Sequence, residues 1–109
     1  MASQEKQQLV MKALTMGVPE HIIPGIVEYV TEGCPLGGFL HSVFSNDLID
    51  SFARADETNI AAMFNIVKFI YNEVDTGCYG SPERVAAWIN EKREQREATE
   101  KHPTVPSQG

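Results

Sequence analysis

Apolar residues recur along this chain at intervals of three and four, and no stretch alternates with period two over more than four residues. That spacing predicts amphipathic helices. Leu9, Val10, Ala13 and Leu14 share one face of a first helix, from a cap at Ser3 to about Met16. Gly17 suits its left-handed stop, and Val18-Pro19 leaves it. Pro19 and Pro24 frame a short turn, and Pro24 opens a second helix carrying Ile26, Val27, Tyr29 and Val30. Gly33 ends it. A third helix begins at Leu36-Gly37-Gly38-Phe39, with Phe39, Leu40, Val43 and Phe44 on one side. Ser45-Asn46-Asp47 interrupts, and Leu48, Ile49, Phe52 and Ala53 resume the face. Asn and Asp are capping residues, so a break or kink is expected there, with one bent helix as the alternative.

Asp56 caps the strongest element, Glu57 to Val74. Ile60, Met63, Val67, Ile70 and Val74 repeat at three and four, and Phe64 and Tyr71 widen the stripe into a broad buried face. Asp75 to Gly80 is a loop. Ser81-Pro82-Glu83 is a strong helix start: a cap, a first-turn proline and an early acid. Val85, Ala86, Trp88 and Ile89 pack, and past Asn90 the helix continues as a charged, solvated extension. The expectation is an all-α domain of four or five helices over residues 1–97, followed by a disordered tail, 98–109. Phe69-Ile70-Tyr71 alone could be a strand; the length of the pattern around it favours helix.

With 109 residues, 42% of them apolar, the chain can bury one core. No apolar run is long enough to span a bilayer, and the N-terminus does not resemble a signal peptide. Two cysteines, Cys34 and Cys78, are too few for a disulfide scaffold. A soluble protein of a reducing cytoplasm is expected. The net charge is −6, and residues 18–89 hold ten acids against three bases. Such a body repels a phosphate backbone, which argues against binding duplex nucleic acid.

Candidate chemistry is sparse. His21, His41, Cys34 and Cys78 have zinc-binding side chains but no close pair spacing, so no metal or cofactor is expected. A Cys–His nucleophile would need an orienting group and an oxyanion hole that no motif supplies, and no catalytic residues are assigned. Gly37 and Gly38 open a helix, where bare backbone donors can meet an anion; equally, small residues let helices cross closely. Arg54 is the one base between residues 13 and 67. It either pairs with Asp50 or Asp56, or faces the glycines as an anion-binding group. Asn59 and the loop aromatic Tyr79 complete a candidate ligand set of Gly37, Gly38, Arg54, Asn59 and Tyr79.

The strings Val18-Pro19-Glu20-His21, Gly33-Cys34-Pro35-Leu36-Gly37-Gly38-Phe39-Leu40, Ser45-Asn46-Asp47-Leu48, Arg54-Ala55-Asp56, Phe69-Ile70-Tyr71-Asn72-Glu73 and Cys78-Tyr79-Gly80-Ser81-Pro82-Glu83 give the chain a family likeness. Over residues 18–89 it resembles a family of small uncharacterised phage and bacterial proteins. The resemblance implies a phage or prophage setting, and no site residues. Taken together, the expectation is a small non-enzymatic, counter-defence binding protein, sequestering a small anionic, nucleotide-like ligand in a homo-oligomer. The alternative is an acidic inhibitor or adaptor acting on a host protein. The stripe on residues 60, 63, 67, 70 and 74 has the spacing of a helix-pairing seam between subunits, or else it faces the chain's own core.

Overall fold

The computed structural model describes the backbone of residues 2–104 and the side chains of residues 4–98. Within the described residues seven α-helices follow in order: α1 (Ala2–Thr15), α2 (Ile23–Glu32), α3 (Gly38–Phe44), α4 (Leu48–Arg54), α5 (Glu57–Ala61), α6 (Met63–Glu73) and α7 (Pro82–Thr104). Two 3-10 turns, Glu20–Ile22 and Thr76–Cys78, sit in the connections. Among the described residues there is no strand. The class is the expected all-α one, with more helices than four or five.

The extra helices come from breaks. α3 and α4 are separate, as the Ser45-Asn46-Asp47 signal implies. Asn46 takes the left-handed conformation (φ 66°), and the Asp47 carboxylate accepts the Asp50 N–H at 3.1 Å, capping α4. The second break, at Ala62, has no proline or glycine to announce it. Ala62 sits at φ −99°, ψ 7°, so the stretch read as one helix from Glu57 to Val74 is two, bent at that residue.

The stop and start signals act as their chemistry requires. Gly17 (φ 86°) ends α1 with paired reverse bonds, Gly17 N–H to Leu14 C=O at 3.1 Å and Val18 N–H to Ala13 C=O at 3.0 Å. Val18 and Ala13 are both buried, which completes a Schellman stop. Asp56 accepts the Asn59 N–H at 2.7 Å and Ser81 Oγ accepts the Arg84 N–H at 3.1 Å, so both expected caps form. The cap proposed for Ser3 differs: α1 begins at Ala2, which puts Ser3 inside the first turn, with its side chain outside the described residues. α7 continues to Thr104, seven residues past the expected boundary at 97, and the tail residues 105–109 lie outside the described ones.

The core is built on α2. Its Ile26 and Tyr29 are fully enclosed together with Phe44 of α3, Ile66 and Phe69 of α6, Cys78 of the second 3-10 turn and Val85 of α7. α1 lies against α2 and α6, α3 against α4 and α7, and α7 closes over α2. The α2–α7 approach depends on a glycine. At Gly33 (φ 74°) a Cβ would lie 2.4 Å from the Cβ of Lys92, so no side chain fits where α7 crosses.

Candidate functional site

α6 runs Met-Phe-Asn-Ile-Val-Lys-Phe-Ile-Tyr-Asn-Glu and is apolar at seven of its eleven positions, spread around more than one side. Such a helix must bury one face, and its sequence does not say which. In the structure Met63, Ile66, Phe69 and Ile70 face inward. Phe64, Val67 and Tyr71 face outward, with Phe64 74% and Tyr71 73% exposed. The expected stripe is therefore divided. Met63, Ile70 and Val74 are buried, whereas Ile60 and Val67 are about half exposed, and Phe64 and Tyr71 widen an outer face instead of the core. Within α6 the division follows from the wheel: 100° per residue puts 64, 67 and 71 on one side and 63, 66 and 70 on another.

α4 repeats the arrangement. Ser51 points inward, while Leu48, Ile49 and Phe52 are exposed, Ile49 at 82%. Between α4 and α6 lies a mostly apolar cleft of about 280 Å³, lined by Val43, Leu48, Met63, Val67, Ile70 and Tyr71, with Asn46, Asp47 and Ser51 on the α4 side. Tyr79 and Gly80 also line it. The cleft joins the outer faces of α4 and α6 into one surface. The sequence pointed to this surface only in part, through Ile60 and Val67 of the suggested helix-pairing seam; a further signal was present, since residues 58–72 contain no acid and a single base, Lys68, within an otherwise acidic body.

The five candidate ligand residues do not form one cluster. Two of them meet: Arg54 Nη1 lies 3.0 Å from where a Cβ on Gly38 would stand. The guanidinium thus lies over Gly38, as the arginine-facing reading expects, whereas no backbone of a crossing helix approaches that position as closely. Gly37, the residue before α3, has open space around its Cβ position. Arg54 Nε donates to Asp50 Oδ2 at 2.8 Å, the expected ion pair, and the Ser42 hydroxyl donates to the same oxygen. These two donors, Ser42 foremost, hold the Asp50 carboxyl below the usual carboxylate range. Tyr79 belongs to the apolar cleft, which neither glycine nor Arg54 lines. Asn59 is 4% exposed, and its Oδ1 is enclosed with no hydrogen-bond partner among the described residues, so it does not reach a surface ligand as it stands.

The remaining candidate groups have structural surroundings. Cys78 is buried and donates Sγ–H to the Asp75 carbonyl at 3.0 Å. Burial, with Asp75 nearby, pushes its thiol up to about 12, so it is protonated at neutral pH. Cys34 is a free, partly buried thiol. His21 Nε2 lies 3.3 Å from Asp56 Oδ2, tying the first 3-10 turn to the start of α5. Among the described residues no three His, Cys, Asp or Glu side chains gather as a metal site would need. A second cleft of about 400 Å³, beneath Trp88, is lined by charges of both signs: Glu5, Glu73 and Asp75 against Lys12 and Lys92. Lys12 is paired with Glu73 at 3.3 Å, and Lys92 lies over the Trp88 ring at 4.9 Å. No helix of the described residues is long and apolar enough to cross a membrane. Compared with known protein families, with curated proteins and with solved structures, the chain finds no match.

Proposed function

We propose that this chain is a small non-enzymatic binding protein that acts by protein–protein contact through the outer face of α4, α5 and α6. One observation supports the reading above all: seven large apolar side chains, Leu48, Ile49, Phe52, Ile60, Phe64, Val67 and Tyr71, are exposed on neighbouring helices. Soluble monomers rarely expose contiguous apolar patches beyond a few hundred Å², and larger ones mark recognition surfaces. Aromatic side chains beside an apolar cleft are the usual anchors of such surfaces. The test is a photoactivatable phenylalanine analogue placed at position 64 and, separately, at position 93 on the exposed part of α7, with irradiation in cells. A covalent protein adduct from position 64 and none from 93 is expected. Absence of any adduct from position 64 overturns the reading.

A second reading, the small anionic ligand, keeps one specific observation in its favour. Arg54 gives Nε to Asp50, its two terminal nitrogens make no hydrogen bond among the described residues, and its side chain is about half exposed over bare Gly38. Asp50 already offsets the charge, so an anion must compete with that carboxylate. Titration calorimetry with a nucleotide panel tests it. A ligand whose binding is lost in Arg54→Ala supports the site, and one bound equally well without Arg54 removes it.

A further inference from the structure

We infer that the occupant of the α4–α6 face is a second copy of this chain, paired face to face about a two-fold axis. The inference rests on the binding reading above and names its partner. Area comes first. The seven exposed apolar side chains leave uncovered the equivalent of about four whole residues, on the order of 800 Å² at roughly 200 Å² for each large side chain. That is about what each partner contributes to a stable interface, and more than a free surface of this kind commonly carries.

Charge points the same way. Each copy carries −6, so two copies repel unless they meet where acids are missing. The α5–α6 part of the face provides that place, since residues 58–72 hold Lys68 and no acid, and the Lys68 ammonium lies 5.8 Å from the centre of the Phe64 ring; Asp47, from the α4 side, is the one acid lining the cleft. A strongly basic partner would be drawn to the acids elsewhere on the body, not to this window.

Shape supplies the third argument. A two-fold interface must be complementary to itself: knobs and a hole must lie on one surface. Here Phe64 and Tyr71 project from α6 and Ile49 from α4, with the 280 Å³ cleft between the two helices. Pairing lets a projecting side chain of each copy enter the cleft of the other. It also explains why α6 is apolar on both sides: the inner face serves the chain's own core and the outer one the pair.

The test uses the full chain at about 50 µM, by size exclusion with light scattering. The expected mass is twice the 12.1 kDa of one chain. Phe64→Glu and Ile49→Glu, each on the face, are expected to return the mass to that of one chain. Met11→Glu, on exposed α1, is expected to leave the pair intact. These side chains are exposed, so unchanged helical circular dichroism shows that each variant folds. The milder Phe64→Ala is expected to weaken the dissociation constant about 10-fold or more. A single-chain mass for the wild type, or a doubled mass kept by both glutamate variants, overturns the inference. An adduct at position 64 with another protein, together with a single-chain mass, overturns the second copy and leaves the binding reading standing. No adduct and a single-chain mass remove both.

Discussion

Tyr29 is the residue on which the fold is pinned. Its ring is fully buried edge-on to Phe44, with centroids 4.9 Å apart. Its hydroxyl donates to the Cys78 carbonyl at 2.6 Å, and its own carbonyl accepts from Trp88 Nε1 at 3.0 Å. One residue of α2 thus holds the second 3-10 turn and α7 at once. Tyr29→Phe keeps the ring and strips the Cys78 carbonyl of that donor, so it is expected to cost about 1–3 kcal/mol in urea unfolding. An unchanged midpoint would show that the bond contributes nothing net. Alongside, burial pushes the Cys78 thiol up to about 12 from an ordinary 9.0. A raised pKa means that the folded state holds the proton more tightly. The associated stability is complete below the ordinary thiol value and is lost as pH climbs from there towards 12. At pH 8, iodoacetamide is expected to label Cys34 before Cys78 in the folded protein, and both after unfolding, as read by mass spectrometry. Prompt labelling of native Cys78 would contradict the enclosed thiol.

Helix by helix, the ends are set locally and the faces are not. Ser81, Pro82 and the Ser81–Arg84 bond start α7 from adjacent sequence, so Ser81→Ala is expected to lower stability by about 0.5–2 kcal/mol. No shift in the denaturation midpoint would make that cap redundant. α6 supplies the contrast in faces. Phe69 is fully buried and Phe64 is 74% exposed, five positions apart on one helix. Phe69→Ala is expected to cost about 3–5 kcal/mol through the cavity it leaves. Phe64→Ala is expected to change the stability of the single chain by no more than about 0.5 kcal/mol. Denaturation at concentrations low enough to keep chains apart measures both. Equal costs would mean that the two faces have been wrongly told apart.

For the molecule as a whole, the apolar surface is divided between a core around Tyr29 and an outer face across α4–α6. The long axis is 55 Å against 28 and 20 Å, and the 23-residue α7 is the longest single element. Because each chain carries −6, the proposed pairing through a window free of acids would work against long-range repulsion that salt screens. Raising salt from about 0.05 to 0.5 M is therefore expected to tighten the pair, as followed by sedimentation. Weakening with salt would mean that ion pairs hold the interface instead.

Much of this was written locally. The period of the apolar residues fixed the all-α class. Gly17, Asn46-Asp47, Asp56 and Ser81-Pro82 marked starts and stops, because capping is chemistry between residues two to five apart. The Asp50–Arg54 pair was legible for the same reason, as neighbours one helical turn apart. What the sequence left open is what distance along the chain decides. It contained no mark for the bend at Ala62, and its apolar stripe took in Phe64 and Tyr71 while leaving out Ile66. A helix with apolar residues on more than one side has no preferred inner face until its neighbours are in place; here α1 packs against α6, and Ile66 and Phe69 lie on its buried side. Likewise the five candidate ligand residues looked alike as polar or bare positions between helices. Packing seated Arg54 on Gly38, enclosed Asn59 and sent Tyr79 to a different cleft, because which loops meet is set by how the helices cross and not by what the loops contain.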